Sequence, residues 1–388
     1  MFTTRILLLT AVLTAVPTFA ATLTITAKNP LPLARANQTL ELSAAQLAPL
    51  GETNLARVHV RDAAGKEVLC QAVDTDFDAF HRPDLVIFQA DFAPEESKTF
   101  TLTIGGKQVY SRDQYKAFGR FVRERFDDFA WENDRIAHRT YGKGLETWAG
   151  EPLTSSTIDI WSKRTPRLVI NDWYLADNYH ADTGEGADYY SAGPSRGCGG
   201  NGLWLADKLW TSKNFVNSRV LANGPIRVLF ELEYEAFDVN GSPVSEVKRI
   251  SLDAGSQLDR FQSTYNSVRP IAGKLMVICG IGIKKTSGAT KEFDAAKGTL
   301  VVWEKVAKNA GMQGLAIVVE PEAIKGETED KLNYLVLARC TPQNEVTYWA
   351  GFCWDKAGQF SDAAAWTKYV NEFAQGLAAP IQVSVGEK

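Results

Sequence analysis

Histidine, methionine and cysteine are scarce in this chain: four, three and five residues among 388. No two cysteines stand at C-x-x-C spacing, so neither a zinc knuckle nor a dithiol redox centre is signalled. The odd count leaves at least one thiol unpaired. Cys70, Cys198, Cys279, Cys340 and Cys353 are expected to be mostly free and buried. Beyond the first twenty residues no apolar run reaches the ~18 residues of a membrane-spanning helix. Positive charge is not in excess: the formal net charge is −4 and the pI about 5.8. A nucleic-acid partner is therefore not expected. The phosphate loop G-x-x-x-x-G-K-[ST], the nucleophile elbow G-x-S-x-G and the zinc helix H-E-x-x-H are all missing. There are no internal repeats and no low-complexity stretch.

What is present starts with a leader. MFTTRILLLTAVLTAVPTFA has one basic residue, Arg5, then an apolar run over residues 6–16, then Thr18 and Ala20 before a cut. This is the pattern of a signal peptide, residues 1–20. The mature chain is expected to begin at Ala21, to be periplasmic or secreted, and to keep no membrane attachment. The remainder divides into an N-terminal β-sandwich-like region, 21–110, and a larger β domain, 111–388. The charged stretch SRDQYKAFGRFVRERFDDF links them.

Helical periodicity is rare. It is clearest in SDAAAWTKYVNEFAQGLAAP, where Trp366, Tyr369, Val370, Phe373 and Leu377 recur on one face. Ser361 is placed to cap the start, and Pro380 follows the end. Elsewhere the period is two. In IRVLFELEYEAF, Ile226, Val228, Phe230, Leu232, Tyr234 and Ala236 face one way, against Arg227, Glu231, Glu233 and Glu235. Asn240-Gly241 then supplies a hairpin turn. Further strands are expected in LMVICGIGIK, GTLVVWEK, GLAIVVE, NYLVLARC and EVTYWAGFCW. The fold class is all-β: a large antiparallel sandwich, a small N-terminal sandwich and a C-terminal amphipathic helix.

Three stretches concentrate chemistry. DDFAWENDRIAHRTYG holds Asp127, Asp128, Trp131, Glu132, Asn133, Asp134, Arg135, His138, Arg139 and Tyr141. So many charges are costly to bury, so they form either an ion-pair network or a polar cleft. His138 stands out because imidazole titrates near neutral pH. The second stretch, INDWYLADNYHADTGEGADYYSAGPSRGCGG, holds Asp172, Trp173, Tyr179, His180, Glu185, Asp188, Tyr189, Tyr190 and Arg196. Its glycines permit tight turns and close approach to a ligand. A loop so long, aperiodic and rich in aromatics is expected to be functional rather than disordered. His180, Asp182, Glu185 and Asp188 offer metal-binding atoms at no recognised spacing. No metal centre is assigned, although a divalent cation such as calcium is compatible with that donor set. The third stretch, DTDFDAFHRPD, alternates acids as a calcium loop does. It lacks the glycine and the terminal glutamate of one and reads as a polar surface loop.

The blocks FAWENDRIAHRTYG, INDWY, YHADTGEGADYYSAGPSRGCGG, LANGPIRVLFELEY and VKRISLDAGSQLDRF resemble a secreted bacterial family known as domain of unknown function 4861. That resemblance covers most of the mature chain. It implies a galactose-mutarotase-like β-supersandwich and a place beside enzymes that degrade uronate-bearing plant or algal polysaccharides. An oligosaccharide or polysaccharide is the expected partner. Elimination by a lyase or dehydratase needs a base, a proton donor and a cation facing the carboxylate. His138 or His180 fits the first role, Tyr189, Tyr190 or Tyr179 the second, and Arg196 or Arg135 the third. Hydrolysis needs two carboxylates, for which Glu132 with Glu185, or Asp172 with Asp188, are candidates. A mutarotase or epimerase needs only a histidine and a carboxylate. A non-catalytic sugar binder would use Trp131, Trp161 and Trp173 as stacking platforms.

Overall fold

Alternation with a period of two pairs almost every segment of the chain into antiparallel strands. A computed structural model of the protein describes residues 21–76, 81–273 and 276–386. The expected leader, residues 1–20, and Asp78 of the acidic loop lie outside these residues. The largest sheet has eight strands. In spatial order they are Asn217–Ala222, Arg227–Val239, Ser242–Asp253, Leu258–Asn266, Glu345–Trp354, Met312–Val318, Thr299–Lys305 and Thr290–Asp294. Facing it is a five-stranded sheet: Lys208–Trp210, Cys198–Leu205, Ile278–Lys284, Asn333–Arg339 and Ile324–Glu329. A third sheet contains Gly186–Ala187, Asp159–Lys163, Ala137–Thr140, Asp128–Asn133 and Ala117–Val122. One parallel bridge, Ile158 to Gly197, joins it to the second. All three share one core, including Phe129, Trp131, Ile160, Phe230, Ile250, Ile281, Ile283, Leu315 and Ile317. Each such side chain contributes about 1.5–3 kcal/mol on burial, so this cluster outweighs any single polar contact. The architecture is the antiparallel supersandwich expected from the sequence.

The N-terminal region is a smaller sandwich. Thr22–Lys28, Ser97–Ile104, Val58–Arg61 and Glu67–Val68 pack against Arg35–Ser43, Leu85–Phe92 and Cys70–Val73, with Ile25, Leu42, Val60, Phe88 and Leu102 between them. The last strand of the chain, Gln382–Val385, returns to extend the first of these sheets beside Thr22–Lys28. The C-terminal helix, Ala363–Ala378, lies on the outer face of the eight-stranded sheet. It buries Trp366 and Val370 against Val301, Ala316, Val318 and Cys353.

Several local expectations change. The helix is capped by Asp362, which accepts from the Ala365 amide, and not by Ser361, which donates to Asp362 instead. In Arg227–Val239 a bulge between Tyr234 and Phe237 shifts the alternation. Ala236 is therefore exposed while Phe237 packs against the core. Ile226 also leaves the expected face and packs with Val73, Ile87 and Leu229 against the N-terminal sandwich. The charged link is partly a strand, Ala117–Val122. The strands Asn333–Arg339 and Glu345–Trp354, consecutive in the chain, belong to opposed sheets. All five cysteines are buried and unpaired.

Candidate active site

The third sheet is covered on both sides. Its inner face packs into the shared core. Its outer face carries Asp128, Ala130 and Glu132 on one strand, Ala137 and Arg139 on the next, and Asp159, Trp161 and Lys163 on the third. An antiparallel sheet with so many charges on one face would ordinarily leave it in water. Here the short helix Ile170–Ala176 and the glycine-rich loop close over it, packing Val169, Ile170, Trp173, Tyr174 and Tyr179 on Trp161. Trp161 stacks on Tyr179 at 5.0 Å and on Trp173 at 5.5 Å.

Glycine in this loop serves the chain's own backbone. A Cβ at Gly186 would stand 2.0 Å from the Ser162 carbonyl oxygen, and one at Gly197 1.9 Å from that of Ile158. Both residues also hold positive φ, 121° and 63°. These two positions seal the loop against the strand Asp159–Lys163. At these points the expected close approach is to a neighbouring strand rather than to a ligand.

Beneath this cover Arg139 is the centre of a buried ion cluster. Its Nε donates to Asp159 Oδ2 at 2.8 Å and its Nη2 to Asp188 Oδ2 at 2.8 Å, while Nη1 lies 3.8 Å from Asp128 Oδ2. The rings of Tyr141, Trp161 and Tyr179 surround the guanidinium at 5.4–5.5 Å. Tyr141 donates to Asp159 and Tyr174 to Asp128. Three carboxylates thus face one fully buried cation, with Arg125 half-buried nearby and donating to the Tyr179 hydroxyl. Burial pushes the Asp128 carboxyl up to about 7, against the pull of Arg139 and Arg125. Burial also pushes Asp188 up to about 8, with Arg139 opposing and Asp159 reinforcing the rise. Burial therefore favours the protonated form of both carboxyls. Asp128 Oδ1, Asp188 Oδ1 and Arg139 Nη1 have no hydrogen-bond partner among the described residues.

Asp188 connects this cluster to the surface. His180 Nδ1 lies 3.4 Å from Asp188 Oδ2 and 3.3 Å from its main-chain oxygen, and the His180 side chain is 60% exposed. Tyr189, the next residue along, donates to Asp182 at 3.0 Å and sits 5.8 Å from the Trp354 ring. Arg164 pairs with the same Asp182 and lies 4.9 Å over Trp354. Lys308 reaches the His180 carbonyl at 3.2 Å. Imidazole, phenol and two cations therefore share one exposed rim.

Among the residues singled out from sequence, the fold gathers His180, Asp188, Tyr189 and Tyr179 here, with Trp173 in the cover. It disperses the others. His138 and Trp131 are fully buried between the sheets, stacked at 5.1 Å, and both meet Asp259: indole Nε1 donates to Oδ1 at 2.7 Å, and His138 Nε2 lies 2.9 Å from Oδ2 without hydrogen-bond alignment. Glu132 accepts from Lys163 at 2.7 Å and from the amides of Val169 and Ile170, anchoring the short helix. Asn133 accepts from the amides of Arg135 and Ile136 and donates to the carbonyls of Asp253 and Ser256. Arg135 lies at the surface beside Asp134. Asp172 and Glu185 are both held by Arg167. Tyr190 is buried with Lys284 over its ring. Arg196 is buried and donates to Ser155 and Ser156, and burial lowers its pKa to about 10.

Sequence reasoning counted Asp128 and Arg139 among the clustered charges of DDFAWENDRIAHRTYG without giving them a role, and passed over Asp159, Arg164, Lys308 and Trp354. The signal for three of them was the alternation in DDF, HRTYG and IDIW, which sets Asp128, Arg139 and Asp159 on one face. For Arg164, Lys308 and Trp354, which come together from distant segments, the sequence carries no local signal.

A family model described as Domain of unknown function (DUF4861) matches residues 27–383. Uncharacterized protein P7 of Formosa agariphila is 33% identical over 381 residues, which is 93% of each chain. Among solved structures, a protein in the glycosyl hydrolase family 38 from Enterococcus faecalis aligns with a TM-score of 0.53 and 12% identity, over 95% of this chain and 48% of that one. An alpha-mannosidase from Enterococcus faecalis V583 aligns with a TM-score of 0.47 and 10% identity, over 95% and 46%. The chain spans about half the length of these solved structures, and the first likeness is one of fold.

Proposed function

The chain belongs to the DUF4861 family, and from the geometry of its own loop we propose that it is a carbohydrate-active enzyme that eliminates across a uronate ring in plant or algal oligosaccharides. The observation that carries this reading is the line from His180 through Asp188 to Arg139: an exposed imidazole whose Nδ1 meets the main-chain oxygen of Asp188, a buried residue whose side chain is itself fixed by a buried guanidinium. A base held in this way keeps its orientation while its other ring nitrogen faces the substrate. Fold alone does not assign a reaction, so the argument rests on this array. The glycosyl hydrolase family 38 likeness is compatible with a sugar ligand.

In the proposed step, His180 takes the C5 proton. The C5–H electrons form the C4–C5 double bond, the C4–O bond breaks, and Tyr189 gives its proton to the departing oxygen. Arg164 and Lys308 face the carboxylate on which charge builds. Asp188 orients His180, and Asp182 orients Tyr189. Glu132 acts only through the helix it anchors. Hydrolysis draws no comparable support: Glu132 is enclosed, while Glu185 and Asp172 both answer to Arg167.

The test is incubation of the mature protein with pectin, ulvan and alginate oligosaccharides, following the absorbance of a 4,5-unsaturated uronate together with product mass. Elimination gives the chromophore. His180→Ala and Tyr189→Phe should each slow it by about 10²–10⁴-fold and leave the melting temperature unchanged. New reducing ends with a gain of water and no chromophore would overturn the proposal in favour of hydrolysis. Altered ring configuration at constant mass would identify an epimerase, and unaltered ligand a binding protein.

A further inference from the structure

The rim around His180 draws its groups from three segments: the glycine-rich loop, Arg164 just after the strand Asp159–Lys163, and the connection 306–311 that carries Lys308. One side chain meets all three. Trp354 ends the strand Glu345–Trp354 and is only 2% exposed. Arg164 lies over its ring at 4.9 Å, and the Tyr189 ring stands 5.8 Å away, tilted by 51°. Its Nε1 donates to the Ala310 carbonyl at 2.8 Å. Val306 and Ala310 are buried in one cluster with it, and Tyr189 packs against that cluster.

The connection needs such a tie. It joins Thr299–Lys305 to Met312–Val318, and Lys308, Asn309 and Gly311 hold positive φ, 57°, 56° and 107°. Lysine and asparagine adopt that region only at a cost, so surrounding contacts must hold the turn in it. Gly311 seats the turn against Asp355, the residue after Trp354: a Cβ there would stand 2.3 Å from Asp355 Oδ1. Held between that seat and the indole N–H, the turn delivers Lys308 Nζ to the His180 carbonyl at 3.2 Å. The loop is fixed from within by Asp182. Its Oδ1 accepts from the amides of Gly184 and Gly186, and its Oδ2 from Tyr189 and Arg164.

We propose that Trp354 is the positioning residue of this rim. It acts without meeting substrate. Its ring sets Arg164 and Tyr189, and its Nε1–H sets Lys308 and, through Lys308, the main chain of His180. This role rests on the reading of the rim as the reaction site and extends it: one enclosed side chain governs base, acid and cations together.

Trp354→Phe keeps a ring and removes the N–H. Its kcat/KM for enoate formation should fall by about 3–10-fold, the effect of one lost hydrogen bond. Trp354→Leu removes the ring as well and should lower kcat/KM by about 10²-fold, as misplacement of reacting groups does. Lys308→Ala should cost less in the Trp354→Phe background than in wild type, because that lysine has already lost its place. A second readout needs no reaction. In protein labelled with ¹³C in its histidine rings, Lys308→Ala and Trp354→Phe should each move the His180 resonance in the same direction. The double variant should move it no further, while His59, in the N-terminal sandwich, stays still. A single cooperative melting transition shows that each variant is folded. Should Trp354→Phe fail to fold, Gly311→Ala takes its place, since it disturbs the same turn without altering the indole and should move His180 likewise. A His180 resonance unmoved in the folded variant, or displacements that simply add in the double variant, would overturn the positioning role. Wild-type protein that yields no enoate while His180 responds as described would instead sink elimination and leave the positioning role standing.

Discussion

At the scale of single residues, the Arg139 cluster sets an unusual pH dependence. Asp128 and Asp188 have pKa values raised to about 7 and about 8, above the ~3.9 of an unfolded aspartate. Between those limits the folded state binds more protons than the unfolded one, so stability falls as pH rises. The contribution is complete below about pH 4 and is lost as pH climbs through 7 and 8, opposite in sign to an ordinary salt-bridged aspartate. Melting curves should therefore show wild-type protein losing stability over that window. Asp128→Asn cannot carry the charge that burial resists, and it should give a flatter profile. A variant that keeps the full wild-type slope would place the titrating proton elsewhere. His180 differs because it is exposed: its replacement should leave the melting temperature in place and touch only the reaction.

At the scale of elements, the helix Ile170–Ala176 covers the cluster and has only seven residues, too few to persist without tertiary support. Its anchor is Glu132, which accepts from two amides at its N-terminal end and from Lys163. Glu132→Ala would leave the fully buried Lys163 ammonium without its carboxylate, an effect worth about 3–5 kcal/mol. Adding Lys163→Met should recover part of that loss, because the uncompensated charge goes with it. Chemical denaturation of the single and double variants measures both effects. On the other side of the molecule, Gly314 lies under Trp366, whose Cδ1 would be 2.4 Å from an added Cβ. Gly314→Ala should destabilise by about 1–3 kcal/mol through overpacking, read from the same denaturation curves.

At the scale of the whole molecule, the N-terminal sandwich is fastened to the C-terminal helix and the strand after it. Arg35, in the N-terminal sandwich, donates to the carbonyls of Gly376 and Ala379 at the end of the C-terminal helix, where cationic donors are favoured. Just beyond, Gln382–Val385 covers the edge of Thr22–Lys28. Removing residues 381–388 uncovers that edge and the row beside Ile25, an invitation to intermolecular pairing. The truncated protein should unfold at lower temperature and aggregate more readily, as calorimetry and light scattering would register. An unchanged melting profile would mean that the closing strand adds nothing to the N-terminal sandwich.

How much of this was legible beforehand varies with the distance between cooperating residues. Period-two runs and one helical stripe sufficed for an all-β sandwich with its terminal helix, because burial on one face writes itself into adjacent residues. The same runs failed at Ala236 and Ile226, where a bulge and a neighbouring sandwich reassigned the face. The glycine-rich loop stood out as a candidate site from its composition, and the fold brings His180, Asp188 and Tyr189 together there. Which histidine met solvent was not recognisable: His138 and His180 are equally polar in sequence, and only the packing of two sheets buries one with Trp131 while the loop carries the other out. The partners Arg139, Asp159, Arg164, Lys308 and Trp354 come from separate strands and turns. The sequence by itself determined which segments are strands and where chemistry is concentrated, since those depend on neighbours along the chain. The tertiary structure alone decided which charges are buried together, and so which carboxyls are pushed above their ordinary range, because desolvation and Coulomb forces act through space.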